Sequence, residues 1–492
     1  MFALVEFCAW LCLIRTIHGS TLTEPPQSVV VVAFEDVYDL SLLANTLSDE
    51  GIDATLIIPE QYQNDLHENL IGVELVLLTV EITKSAYPES KAIQICEAFL
   101  KDEQIAKKIS EIQPTFVVFP GLRHDGCLLP WSRVIQSIPV IWTRNRDEEI
   151  YVFEYTGTAL PVQSAGLWTR LRTSLSRRSI FSTARDEYTA YALRMGGKYL
   201  PETGFNLDNL YTDVRLILWG GDVILRSDFA PLTPLIVEVG CHHCRAAYLL
   251  PEKLHESLVT FKLGTTAVFL NDGHETMIKD MARTLPQGRD GLAVAYKTKG
   301  WQSSNNPENL FIAATVDRQD LIGNARAKVV LSHCADTELL ECGFHGTPVI
   351  CFPRNVHESK NAARAVHLGF ARSVEDIRAI SGTELANMVM QMHLTMDYRE
   401  NARRVSVAIR DRINPAVDRL TYWLRYTARA KDRNLEFLTS ISPARTPNED
   451  LQFLLGLFAG CIVGICVTVG CMLTWYLFTS KRAQLSKGRY TQ

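Results

Sequence analysis

The residues with the most chemical capacity stand beside apolar runs. Asp36 and Asp39 follow the run 28–34 (SVVVVAF), where a carboxylate either takes a proton from a substrate hydroxyl or caps the helix that comes next. His124 and Asp125 lie a few residues past a second run at 116–119. Cys241-His-His-Cys244 brings together residue types that bind metals, but a zinc site needs four well-spaced ligands and no second cluster follows, so a structural role is expected. No P-loop and no Gly-x-Gly-x-x-Gly follows a strand, which leaves kinase-like and dinucleotide-binding readings unsupported.

These residues need a scaffold of alternating strands and helices, and the patterning supplies one. The runs 28–34, 54–58, 73–80 and 116–119 are continuously apolar and rich in branched side chains, as a parallel sheet covered on both faces requires. Helical patterns fall at 40–48 and 91–112. After an Arg- and Ser-rich stretch at 169–185 and prolines at Pro231 and Pro234, the pattern restarts. Strands are expected at 265–270, 292–296, 310–315, 328–332 and 348–352, and helices at 275–284, 337–344 and 359–368. A helical stretch runs over 381–433, broken at Pro415. The reading is α/β, with two doubly wound, Rossmann-like domains facing a cleft, at 20–238 and 239–441. In such sheets ligands bind beyond the carboxyl ends of the strands.

The chain has 492 residues, 47% of them hydrophobic, enough for two ordinary cores, and its formal net charge of −5 speaks against a nucleic-acid partner. Residues 1–19 carry an apolar stretch at 7–14 and end at Gly19, the outline of a secretory signal. Glu6 and Arg15 flank that stretch, which leaves both a cleaved and an uncleaved form open. A stalk at 442–450 precedes residues 451–478, which hold no charged residue and are long enough for a membrane-spanning helix. Trp475 and Tyr476 suit an interfacial belt, with Glu449 and Asp450 before the span and Lys481, Arg482, Lys487 and Arg489 after it. That asymmetry predicts a single-pass type I protein with a luminal or extracellular body and a short cytosolic tail at 479–492. Seven of the twelve cysteines fall in the body, so at least one cannot pair within the chain. No Asn-x-Ser/Thr sequon occurs, and no N-glycan is expected.

The run from Asp320 to His333 (DLIGNARAKVVLSH), then Glu341, Phe344-His-Gly-Thr-Pro348, Phe352-Pro353, Asn361-Ala-Ala and Gly369, resembles the signature region of the UDP-glycosyltransferases. Ala402-Arg-Arg, Tyr422-Trp-Leu-Arg-Tyr-Thr-Ala-Arg, the span and the basic tail continue the likeness, which is to the animal membrane-bound branch. The resemblance covers about 241–482 by motif and the first domain by pattern. It implies a GT-B fold, residence in the endoplasmic reticulum membrane, and inverting transfer of a hexose or glucuronic acid from a UDP-sugar to a small lipophilic acceptor. It implies no metal and no cofactor beyond the UDP-sugar co-substrate, and it admits homo- or hetero-oligomers with related proteins.

Carried over residue by residue, the resemblance places the family's general-base His at Asp36, with Asp39 the other candidate carboxylate, while Pro120 and Gly121 stand where its orienting Asp should be. Thr315 and Arg318 take the places of the Trp that stacks on uracil and the Gln that bonds it. The family's His-Gly-Gly-x-Asn-Ser-x-x-Glu reads His333-Cys-Ala-Asp-Thr-Glu-Leu-Leu-Glu341, keeping the phosphate His and the ribose Glu but neither glycine. Asn271-Asp272 replaces a Gly-Ser loop, and His357-Glu358 replaces the sugar-binding Asp-Gln pair. Asp272 and Glu338 together would place two carboxylates near the diphosphate. A like-charge pair 4 Å apart costs about 1 kcal/mol in water and about 4 kcal/mol at an effective dielectric of 20. Two functions therefore stand: a divergent UDP-glycosyltransferase, or a catalytically inactive protein of the same fold that acts as a binding or regulatory partner.

Overall fold

The structure, a computed structural model, describes residues 27–67, 70–80, 88–121, 125–144, 198–200, 214–225, 234–270, 273–298, 300–301, 305–430 and 447–487. The signal at 1–19, the Arg- and Ser-rich stretch, Pro231, His124, Asn271, Asp272, most of the stalk and the end of the tail lie outside the described residues.

Two parallel sheets carry the body. The first contains β1 (Ser28–Val32), β2 (Asp53–Pro59), β3 (Glu74–Leu78), β4 (Phe116–Pro120), β5 (Ile138–Thr143), β6 (Leu216–Trp219) and β7 (Ile236–Glu238), in the order β3-β2-β1-β4-β5-β6-β7. The second contains β8 (Gly264–Val268), β9 (Leu292–Tyr296), β10 (Leu310–Ile312), β11 (Ala327–Ser332), β12 (Val349–Cys351) and β13 (Ala371–Ser373), in the order β10-β9-β8-β11-β12-β13. Strand order reverses beside β1 and again beside β8, so in each sheet a crevice opens at the carboxyl ends of the central strands.

The continuous apolar runs have a direct packing cause. Along β1, Val30 and Val32 enter one core while Val29 and Val31 enter another on the opposite face. The second sheet repeats this, with Ala293 and Ala295 on one face and Leu292, Val294 and Tyr296 on the other. The Val37–Asp49 helix covers the first sheet with Leu40, Leu43, Ala44 and Leu47, spaced as one helical face.

Local rules set the remaining boundaries. The helix expected over 91–112 is two helices, Pro88–Lys101 and Glu103–Ile112. Asp102 has extended backbone, and its carboxylate accepts the N–H groups of Gln104 and Ile105 at 3.0 Å, which starts the second helix afresh. The 381–433 stretch is likewise three helices, Gly382–Leu394, Met396–Arg410 and Ala416–Arg429. A Ser381–Glu384 capping box opens the first and Pro415 precedes the third. The third helix crosses back to the first sheet, where Leu420 and Leu424 are fully buried among Leu216, Leu218 and Val237. Each such leucine contributes about 2 kcal/mol of burial.

Three disulfides join Cys96 to Cys127, Cys241 to Cys244 and Cys334 to Cys351, and the seventh body cysteine, Cys342, is a buried free thiol. The Pro447–Lys487 helix contains an apolar stretch, Leu455–Ser480, of 26 residues with mean hydropathy 2.3, long and apolar enough to cross a membrane.

Candidate functional site

A cavity of about 660 Å³ lies between the two sheets, reached from both by the segments that leave their strands. Phe34 to Asp39 come from the end of β1, Arg144 from β5, Asp317 and Arg318 from β10, Ala335, Thr337 and Glu338 from β11 and Arg354 from β12. His67 and Asp317 bridge the walls, Nε2 to Oδ2 at 3.2 Å, and the Arg318 guanidinium lies 5.0 Å from the centre of the Tyr38 ring.

On the first wall, Asp36 precedes the Val37–Asp49 helix with φ of 52°, and its side chain does not cap that helix. The carboxylate instead meets Arg144, whose guanidinium also donates to Asp39 Oδ2 at 3.1 Å. Burial pushes the Asp36 carboxyl up to about 6, and Asp39, Glu35 and Asp336 add to the effect against the pull of Arg144. Asp36 therefore titrates near neutrality inside the cleft. Asp39 is buried on the same helix and shares the guanidinium. The sequence reading named both acids but not Arg144, which follows directly on the strand-end residue Thr143.

On the second wall the carboxylates are already engaged. Glu341 is 1% exposed, and both its oxygens are taken by Arg318, Nε to Oε2 at 2.5 Å and NH2 to Oε1 at 2.8 Å. His243 Nε2 lies 3.3 Å from the same Oε1. Burial alone would raise Glu341, but Arg318 and His243 hold it down at about 2. The Arg318 guanidinium thus neutralises Glu341, the residue that the resemblance sets at the ribose. Thr315 is exposed on a turn and does not line the cavity.

The loop after β11 is closed by its own groups. Cys334 keeps the left-handed backbone suited to glycine, φ 59°, and its disulfide ties the loop to β12. Its N–H donates to Ser332 Oγ at 2.8 Å, and the Ala335 N–H donates to Glu338 Oε2 at 3.3 Å. Glu338 Oε2 also accepts the Ser332 hydroxyl at 2.6 Å, while Oε1 lies 3.7 Å from Arg318. A helix N-terminus attracts an anion, and here a carboxylate of the same chain takes that position. His333 is buried, with Nδ1 donating to the Phe352 carbonyl at 2.9 Å.

His357 and Glu358, which the resemblance sets at the sugar, are also engaged within the chain. His357 Nε2 meets Asp336 Oδ2 at 2.6 Å, and Asn361 donates to the other Asp336 oxygen at 3.0 Å. Glu358, 3% exposed, accepts Arg354 NH2 at 2.6 Å and the Arg354 N–H at 2.7 Å. Among the described residues no group of three His, Cys, Asp or Glu is placed to hold a metal ion. Cys241 and Cys244 are bonded to each other.

A family profile described as UDP-glucoronosyl and UDP-glucosyl transferase matches residues 207–435. UDP-glucuronosyltransferase 2B15 of Homo sapiens is 25% identical over 209 residues, which is 41% of this chain and 38% of that protein. The match to the first curated relatives thus spans about two fifths of their length. UDP-glucuronosyltransferase 2A3 of Mus musculus is 22% identical over 406 residues, 76% of this chain and 74% of that one. Two solved structures show the same fold. The calicheamicin glycosyltransferase CalG4 has a TM-score of 0.55 at 14% identity, covering 83% of this chain and 99% of its own. A UDP-glucosyltransferase from Polygonum tinctorium has a TM-score of 0.54 at 14% identity, covering 83% and 100%. The paired parallel sheets and the cleft at their strand ends are those of the GT-B fold, and the match over 207–435 makes this chain similar to the UDP-glucuronosyl and UDP-glucosyl transferase family.

Proposed function

We propose that this protein binds a small lipophilic ligand in its cleft without taking a UDP-sugar donor, as a catalytically inactive partner within its family. One observation carries the reading: both oxygens of Glu341, the ribose carboxylate of the resemblance, are held by Arg318. A nucleotide would have to break a buried, bidentate ion pair before gaining any contact, and breaking such a pair costs about 3–5 kcal/mol. Glu338 already accepts the Ser332 hydroxyl and the Ala335 N–H, so the helix N-terminus that would meet a diphosphate is taken by a carboxylate of the chain. The opposite wall remains suited to a ligand, since Phe34, Val37, Tyr38, Tyr62 and Leu66 give an apolar lining and Asp36 with Arg144 gives a polar anchor. The C-terminal helix supports a membrane-anchored chain, the charge asymmetry around it supports a luminal or extracellular body, and the likeness to the animal membrane-bound branch supports the endoplasmic reticulum.

The test is thermal stability of the full chain in detergent with UDP, UDP-glucose or UDP-glucuronic acid at millimolar concentration. No shift is expected. Micromolar binding of UDP overturns the reading.

A second reading, retained glycosyl transfer, is favoured by Asp36. A carboxyl pushed up to about 6 in the cleft is matched to accepting a proton from an acceptor hydroxyl near neutral pH. Under that reading UDP binds and Asp36→Asn abolishes transfer while leaving UDP binding in place.

A further inference from the structure

We propose that Cys241–Cys244 is a thiol–disulfide exchange site that takes its electrons from a dithiol, and that the other two disulfides are structural. Two features of the chain separate this bond from its neighbours, and a third gives its turn supports other than sulfur.

The first is access. Cys96, Cys127, Cys334 and Cys351 are fully buried, whereas Cys241 and Cys244 are half-buried. Exchange requires a thiolate to approach a disulfide sulfur, so only this pair is within reach of a solute or a protein thiol in the folded state.

The second is stapling power. The stabilisation a disulfide gives by restricting the unfolded chain grows with the loop it closes. The three bonds span sequence separations of 3, 17 and 31, and Cys241–Cys244 is the smallest. A bond that restricts the unfolded chain least is the one whose opening the fold tolerates best.

The third is local geometry. Cys241 is held at φ 63°, an uncommon conformation for a residue with a Cβ. The turn nonetheless has supports that do not depend on sulfur. The Cys244 N–H donates to the Cys241 carbonyl at 3.0 Å, and the His242 N–H donates to Val239 at 3.0 Å. Gln319 Nε2 donates to the His243 carbonyl at 3.0 Å. The reduced form also has a place for its proton, because Cys241 Sγ stands 3.7 Å from the Leu340 carbonyl oxygen, within reach of an S–H donor. None of these supports requires the sulfur–sulfur bond.

The exchange is balanced. One thiolate of the dithiol attacks a sulfur of the pair, the Cys241–Cys244 bond breaks, and the departing thiolate takes a proton. The second thiol of the donor then displaces the remaining cysteine. Two electrons and two protons pass to the protein, and the donor becomes a disulfide.

The test uses the full chain in detergent, incubated with increasing dithiothreitol, trapped with iodoacetamide and mapped by mass spectrometry. Cys241 and Cys244 should be alkylated at a reductant concentration at least about tenfold below that which opens either buried pair. The bond should re-form on addition of oxidised glutathione. Opening of Cys96–Cys127 or Cys334–Cys351 at the same concentration overturns the proposal, as does a Cys241–Cys244 bond that survives until the protein is denatured. As a second measurement, Cys244→Ser should leave Cys241 able to form a mixed disulfide with glutathione in the folded protein, and failure to form it also overturns the proposal. Neither readout depends on whether UDP binds.

Discussion

The two walls of the cleft are made from the same ingredients and behave in opposite ways. On the first wall one guanidinium, Arg144, is shared between Asp36 and Asp39, and the Asp36 carboxyl is pushed up to about 6. On the second wall Arg318 holds Glu341 through two parallel bonds and only approaches Glu338, at 3.7 Å, while His243 stands beside Glu341, which is held at about 2. Burial acts on both. What differs is the geometry of the contact, since two parallel bonds to one carboxylate offset desolvation and a guanidinium divided between two acids does not. An acid-rich cleft thus keeps a titratable wall and a locked wall.

The contrast breaks most severely at Glu341. Glu341→Gln leaves the Arg318 guanidinium, 11% exposed, without its main counter-charge, and should cost about 3–5 kcal/mol in chemical denaturation of the full chain in detergent. A loss under about 1 kcal/mol would show that the second wall is not locked by this pair.

Asp36→Asn sharpens the comparison through pH. Because the folded carboxyl is raised from 3.8 to about 6, the folded state binds the proton more tightly, and this group's contribution to stability falls as pH rises from about 4 to 6. The Asn variant lacks that slope. Its stability relative to the parent should therefore rise between pH 4 and pH 7 by at most about 3 kcal/mol and then level off. A pH-independent difference would mean that Arg144 keeps Asp36 ionised throughout. Glu341 has the opposite sign, contributing stability above about 4.5 that is lost as pH falls towards 2.

The smallest effect belongs to the bridge between the walls. His67→Ala removes the 3.2 Å contact to Asp317 and should cost about 1 kcal/mol in the same denaturation measurement. The Asp317 carboxyl, held down at about 2 against burial by His67 and the Gln319 N–H, should titrate higher in that variant by NMR.

The sheets were largely legible because their cause is local. β9 and the Glu275–Thr284 helix fall on the residues the pattern marks, since a fully apolar run and a helical face each declare themselves within a few positions. β7 and β13, three residues each, are too short to show a period, and the Asp102 break was hidden inside a continuous helical pattern. The site was legible as a roster of residues but not as an arrangement. Glu338 reads in sequence as a charge set against a diphosphate, yet its oxygens are spent on Ser332 and on its own helix. Cys334 reads as the loss of a glycine, yet the loop keeps the left-handed turn. His357 and Glu358 are adjacent in sequence but pair separately with Asp336 and Arg354. Which of several nearby groups a side chain meets, from 3 residues away at Glu338 to 108 at Asp36, is decided by packing, on which spacing along the chain is silent.

The return of the Ala416–Arg429 helix to the first sheet bears on the order in which the protein can be made. Leu420 and Leu424 complete a core whose strands end at Glu238, so the first half of the body waits for chain synthesised nearly 200 residues later. At about 5–20 residues per second that is a delay on the order of ten to forty seconds, during which Leu216, Leu218 and Val237 lack their cover. A chain ended before Ala416 would leave this face of the first sheet without the two leucines that cover it.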